Sequence, residues 1–226
     1  MVPMNILDEK AHADYTDTGV WAAKAIKEAK RFGTVNVVSS SKADVYNHIP
    51  KDFKQTEGAA YLHVTSNNTI YGTQWKNFPE AATYLVADMS SDILSRKIDV
   101  SKFGLIYAGA QKNMSCAGVT LAIIRKDILG KVERSIPTML DYATHIPEHS
   151  MFNTPPVFPI YVMNRTLSWL KENGGVEAME ALNNKKSGIL YDAIDNSKLF
   201  VGTAAKEDRS TMNVPFIFNK DVVAQE

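Results

Sequence analysis

Five short apolar runs, residues 35–38, 61–65, 84–87, 103–110 and 119–124, recur through the first half of the chain with polar or helix-compatible sequence between them. They are too short for helices and too evenly apolar for strands with one wet face. They therefore predict strands buried on both sides, and the stretches between them predict the βα alternation of a largely parallel sheet flanked by helices. Residues 21–32 fit one such helix, with Trp21, Ala22, Ala25, Ile26, Ala29 and Phe32 on one face. Lys24, Lys27, Glu28 and Arg31 fall mostly on the other, and Gly33 stops it. After Pro155, Pro156 and Pro159 a long helix is expected over 160–171, broken by Gly174-Gly175. A second helix from about Val176 carries Met179, Leu182, Ile189, Leu190, Ala193 and Ile194 at helical spacing, and a strand over 213–218 follows. The expected division is an α/β domain over 1–174 and the beginning of a smaller α+β domain over 175–226.

A parallel sheet presents its carboxyl edge to ligands, and charge limits what those ligands are. Lysine plus arginine and aspartate plus glutamate both number 25, so no basic field exists for nucleic acid, and an anionic ligand must be held by local groups. No apolar stretch approaches the roughly 20 residues that span a bilayer, and the N-terminus lacks the charged-then-apolar order of a signal peptide. A cytoplasmic protein with no membrane partner is the expectation. Cys116 is the only cysteine, which excludes an internal disulfide and a cysteine metal cage. His145-Ile146-Pro147-Glu148-His149 matches the inverted zinc motif in form, but Pro147 would disrupt the helix that must align the two rings. A loop is expected there, and no metal.

The chemistry concentrates around Tyr107-Ala108-Gly109-Ala110-Gln111-Lys112-Asn113, where an apolar strand delivers one lysine to the edge of the sheet. A lysine desolvated there would lose basicity, and its neutral amine could attack an aldehyde; a plain surface lysine is the other reading. Asp88 ends the run Tyr84-Leu85-Val86-Ala87, and an ionised carboxylate in that place needs a partner. A protonated pyridine nitrogen would be one partner; a cap on the following segment, or Arg96, would be another. Lys112 lies 24 positions later (112 − 88), about one strand-to-strand crossover, so the two can end neighbouring strands. Trp21 follows Thr18-Gly19 and either stacks on a planar ligand or packs into the core. Thr69, in Asn67-Asn68-Thr69, offers a hydroxyl or is a loop threonine. Asn153 and Thr154, before Pro155-Pro156, form a fixed donor pair for phosphate or a helix entrance.

Together these segments resemble the phosphoserine aminotransferases, pyridoxal-phosphate enzymes of class V and fold type I. The resemblance runs over essentially the whole chain, through residues 19–33, the Asn-Asn-Thr loop, residues 87–113, Met151–Pro156 and residues 212–216. It implies a fold-type I large domain and pyridoxal 5′-phosphate as cofactor. Lys112 would be the Schiff-base lysine, Asp88 the carboxylate at the pyridine nitrogen, and Trp21 the stacked ring. Thr69 would lie near the phenolic oxygen and Gln111 near the cofactor, while Asn153 and Thr154 would reach the cofactor phosphate of the neighbouring subunit of a homodimer. The implied reaction is reversible transamination between L-glutamate and 3-phosphohydroxypyruvate, giving O-phosphoserine and 2-oxoglutarate in serine biosynthesis, and the resemblance allows a part in pyridoxine biosynthesis as well. The resemblance also implies that the family's N-terminal Gly-rich turn and its C-terminal substrate-binding arginine lie outside this sequence, so that Met1 begins a fragment. The rivals are another class V activity, and a non-catalytic α/β fragment that binds a partner or structures a dimer. A dinucleotide enzyme is disfavoured because no G-x-G-x-x-G follows any strand.

Overall fold

The computed structural model describes residues 1–222; positions 223–226, the end of the expected second domain, lie outside them. A six-stranded sheet occupies the middle. Its strands are β1 (His12–Asp17), β2 (Thr34–Ser40), β3 (Leu62–Thr65), β6 (Leu85–Asp88), β7 (Phe103–Gly109) and β8 (Thr120–Ile124), ordered β2-β1-β3-β6-β7-β8. The first five run parallel. β8 is antiparallel to β7, because residues 110–119 form a tight turn, bonded Met114 N to Ala110 O, that is too short for a crossover.

Alternation along the strands builds two cores. Leu62, Val64, Leu85, Ala87, Ile106 and Ala108 face one side with Trp75, Met89 and Ile93. Tyr15, Tyr61, Val86 and Leu105 face the other, under helices α1 (Val2–Ile6) and α2 (Val20–Ala29). α2 ends at Ala29 rather than Phe32: a Cβ at Gly33 would lie 2.7 Å from the Asp8 carbonyl, so the chain is already leaving the helix to pass α1 closely.

β1 was not expected, since His-Ala-Asp-Tyr-Thr-Asp reads as polar. Its Asp14 is nevertheless fully buried, and accepts bonds from Thr56 N (2.6 Å) and Asn36 Nδ2 (3.3 Å), which compensate the charge.

A two-residue ladder, β4 (Asn67–Asn68) with β5 (Thr73–Gln74), follows β3. Short helix α3 (Tyr142–His145) ends at the histidine, and residues 146–150 turn, with His149 and Ser150 in the left-handed region. α4 (Val157–Glu172) and α5 (Gly175–Asp195) are separated by Gly174 at φ 87°, a left-handed break that favours glycine. The hairpin β9 (Phe200–Gly202) and β10 (Phe216–Phe218) comes last. Between its strands the chain returns to the first half: Asp208 accepts from Ile49 N at 2.8 Å, and Ser210 N donates to Gly72 O at 2.7 Å. No helix among the described residues is long and apolar enough to cross a membrane.

Candidate functional site

The carboxyl ends of β1, β3, β6 and β7 share one edge of the sheet; Trp21, Thr69 and Lys112 come together there, with Asp88 and Gln111 along the same edge. Past β1, Thr18 Oγ1 donates to Asn68 Oδ1 (3.2 Å), drawing the loop after β3 onto the start of α2. Gly19 permits that approach, since a Cβ there would sit 2.9 Å from Asn68 Oδ1. In the first turn of α2, Trp21 is 40% exposed, and its indole N–H donates to Thr69 Oγ1 at 3.1 Å. One hydrogen bond thus joins a flat aromatic surface to a hydroxyl. The ammonium of Lys112 lies 5.3 Å from the Trp21 ring centroid, and that of Lys24 lies 4.5 Å from it.

Asp88 stands half-buried at the end of β6, in register between Thr65 and Tyr107. Its Oδ1 accepts from Ser90 N (3.0 Å) and Ser90 Oγ (2.6 Å), so it does cap the segment that follows. Arg96 does not reach it; its guanidinium donates to the carbonyls of Trp75 and Lys76. The second acid of Val86-Ala87-Asp88-Met89-Ser90-Ser91-Asp92 has a different fate. Asp92 is buried, bonded to Ser66 Oγ and to Gln74 Nε2, and burial raises its carboxyl above the usual range despite those bonds. Of these two acids, Asp88 is the one whose carboxylate stands at the edge.

Lys112 is exposed, which corrects the expectation of a desolvated amine. The turn after Gly109 swings its side chain beyond the end of the strands, where the Trp21 ring is its recorded neighbour. Beside it Gln111 folds back over Gly109, whose missing Cβ would lie 2.7 Å from Gln111 Oε1. Asn113 Nδ2 donates to Ile93 O at 2.6 Å, next to Leu94 in the left-handed region at φ 62°. Ser115 Oγ donates to Pro159 O at 2.6 Å and ties the lysine turn to the start of α4. Asn153 and Thr154 are exposed, and Asn153 Nδ2 approaches Met139 Sδ at 2.9 Å.

Sequence reasoning missed Ser90. Besides bonding Asp88, its hydroxyl accepts from Gly109 N at 3.0 Å, so one oxygen fixes the carboxylate's strand to the lysine's strand. The signal was present in Asp-x-Ser, a spacing at which a carboxylate bonds the backbone two residues on.

Comparisons with known proteins identify the family. The family described as Aminotransferase class-V matches residues 1–223. Phosphoserine aminotransferase of Parabacteroides distasonis is 59% identical over 221 residues, covering 98% of this chain and 62% of that protein. That of Flavobacterium psychrophilum is 58% identical, with 97% and 62% covered. This chain therefore spans a little under two thirds of the length of these curated relatives. Among solved structures, phosphoserine aminotransferase from Bacillus circulans subsp. alkalophilus superposes with a TM-score of 0.93 at 46% identity, covering 97% of this chain and 62% of that one. The pyridoxal-phosphate-bound enzyme from Trichomonas vaginalis gives 0.90 at 39% identity, covering 98% and 64%. Alanine–glyoxylate aminotransferase from Nostoc sp., with 97% of this chain and 63% of that one covered, at 15% identity and a TM-score of 0.78, shares the fold alone.

Proposed function

This chain belongs to the class-V aminotransferase family, and from that premise we propose that the protein is a pyridoxal-phosphate-dependent phosphoserine aminotransferase. It would exchange an amino group reversibly between L-glutamate and 3-phosphohydroxypyruvate, giving 2-oxoglutarate and O-phosphoserine. The observation that carries the reading is the meeting, at one sheet edge, of an amine, an indole face and a hydroxyl, with a carboxylate ending the next strand. Lys112 Nζ lies 5.3 Å from the Trp21 ring, and Trp21 is bonded to Thr69.

The donor set fits the cofactor. Ser90 occupies Oδ1 of Asp88 and leaves the lone pairs of Oδ2 for a ring N–H. Trp21 offers a half-exposed plane, Thr69 a hydroxyl for an oxygen on the ring, Gln111 an amide beside it, and Lys112 an amine. When bound, pyridoxal phosphate supplies an aldehyde and a ring that takes up the electrons left by a departing α-proton. Asp88, anchored from behind by Ser90, would hold a proton on the ring nitrogen. Trp21 would hold the ring in place from one face. Lys112 would supply the amine that holds the cofactor's aldehyde and the base that accepts the substrate α-proton. An exposed amine suits both tasks.

The remaining parts of the proposal rest on the resemblance. We take the functional unit to be a homodimer, with Asn153 and Thr154 of each subunit reaching the phosphate of the other's cofactor; their exposure in this chain supports that. Gly174-Gly175 would mark the boundary between the large domain, 1–174, and the small one, from 175 onward. A cytoplasmic location accords with the absence of a membrane-length helix among the described residues. The test is to mix the full chain with pyridoxal phosphate, reduce with borohydride and map the labelled peptide. The label is expected on Lys112, and a label on other lysines with Lys112 unmodified would sink the reading.

A further inference from the structure

Behind Asp88 the sheet buries a histidine that the chemistry above leaves unused. Asp88 pairs in register with Tyr107 on one side, and His63 pairs with Val86, two residues before Asp88, on the other. His63, Asp88 and Tyr107 therefore rise from the same face of three adjacent strands. His63 is 1% exposed, and its Nε2 lies 3.0 Å from the Tyr107 hydroxyl. Its ring stacks on Tyr15, with centroids 4.6 Å apart and planes 18° apart, and Tyr15 is bonded in turn to Tyr61 at 2.7 Å. The other ring nitrogen, Nδ1, is buried without a partner.

The position of the imidazole proton decides what this cluster does. With the proton on Nδ1, a buried N–H would go unpaired, and Nε2 would consume the Tyr107 hydroxyl proton. With the proton on Nε2, only a lone pair is left unpaired, which costs less, and the Tyr107 hydroxyl proton is free to turn toward Asp88. We propose that His63, as the Nε2–H tautomer, orients the Tyr107 hydroxyl to donate to Asp88, so that both are positioning residues for the carboxylate. The role rests on the reading of Asp88 given above.

The surroundings support a neutral pair. Burial pushes His63 down to about 4, with Asp88 pulling the other way. Burial, and then Asp88, lift the Tyr107 phenol well above its ordinary range. The adjoining cavity, about 330 Å³, is faced by the Met1 amino group, Glu28 of α2 and Tyr142 of α3. Burial lowers that amine and raises Tyr142 to about 12, while Glu28 lies 3.4 Å from Arg31. None of these places a proton donor on Nδ1.

Imidazole-nitrogen NMR of the cofactor-free full chain tests the tautomer without reference to any reaction, so its failure is separable from failure of the Lys112 labelling. His63 is expected to remain a neutral Nε2–H tautomer from about pH 8 to about pH 5. A charged ring above about pH 6, or an Nδ1–H signal, would overturn the proposal. In the cofactor-loaded full chain, Tyr107→Phe is expected to lower kcat about tenfold, with the KM for the amino donor changed less than about twofold, the mark of one lost hydrogen bond to a charged group. Tyr15→Phe, which keeps the His63–Tyr107 bond, should retain kcat. An unchanged kcat in Tyr107→Phe, or equal losses in the two variants, would refute the positioning role.

Discussion

In front of Asp88, Trp21, Gln111 and Lys112 stand partly or wholly in solvent, and the hydrogen bond recorded among the front side chains is Trp21 to Thr69. Behind it, His63 and Tyr107 in the sheet and Ser90 and Asp92 in the turn after β6 are bonded to their neighbours. The contrast divides the labour. On the proposed reading, the groups that would bind the cofactor and carry protons stand in solvent, and the carboxylate that would keep one orientation is secured from behind.

Substitutions on the two sides should therefore fail differently. Lys112→Ala should abolish borohydride-trapped cofactor and lower turnover of the full chain by at least about 10³-fold, because it removes both the covalent anchor and the base. Surviving lysine-linked absorbance would break the comparison at its front. Asp88→Asn should keep cofactor binding but slow proton abstraction by on the order of 10²-fold, read by single-turnover absorbance with glutamate.

The back of the site is reached by acid. His63 is held neutral, its acidity moved from 6.5 to about 4, so an unfolded chain takes up a proton that the native one refuses. That contribution to stability is complete above pH 6.5 and is lost as pH falls toward 4, about 3 kcal/mol in all. Denaturant midpoints across that window should show the slope in the native protein and lack it in His63→Phe. The smallest effect belongs to the stacking surface: Trp21→Phe should weaken cofactor binding about fivefold while leaving the thermal midpoint nearly unchanged, as measured by fluorescence titration and calorimetry.

The front of the site was legible in sequence for a physical reason. Apolar runs announce strands, and a charged residue just past such a run must lie at the edge, so Asp88 and Lys112 could be placed from spacing alone. The back was less legible because it runs against composition. β1 was overlooked since Asp14 looks like a surface residue until Thr56 N and Asn36 are seen to satisfy it. His63 sits within an apolar run and gave no sign that its ring would meet Tyr107, 44 residues further along the chain. The antiparallel course of β8 depended on the tightness of the turn at 110–119, which periodicity does not report. The exposure of Lys112 was misjudged for a related reason: strand burial was extended to a residue that the turn had already carried clear of the sheet.

The bond from Ser115 to Pro159 has a mechanical consequence. It fastens the lysine turn to the first turn of α4, three residues beyond Pro156, where the Asn153–Thr154 stretch ends. If that stretch is seated against a second subunit, as proposed, the same bond would carry the pull to the loop bearing Lys112, so that assembly would also set the aim of its amine.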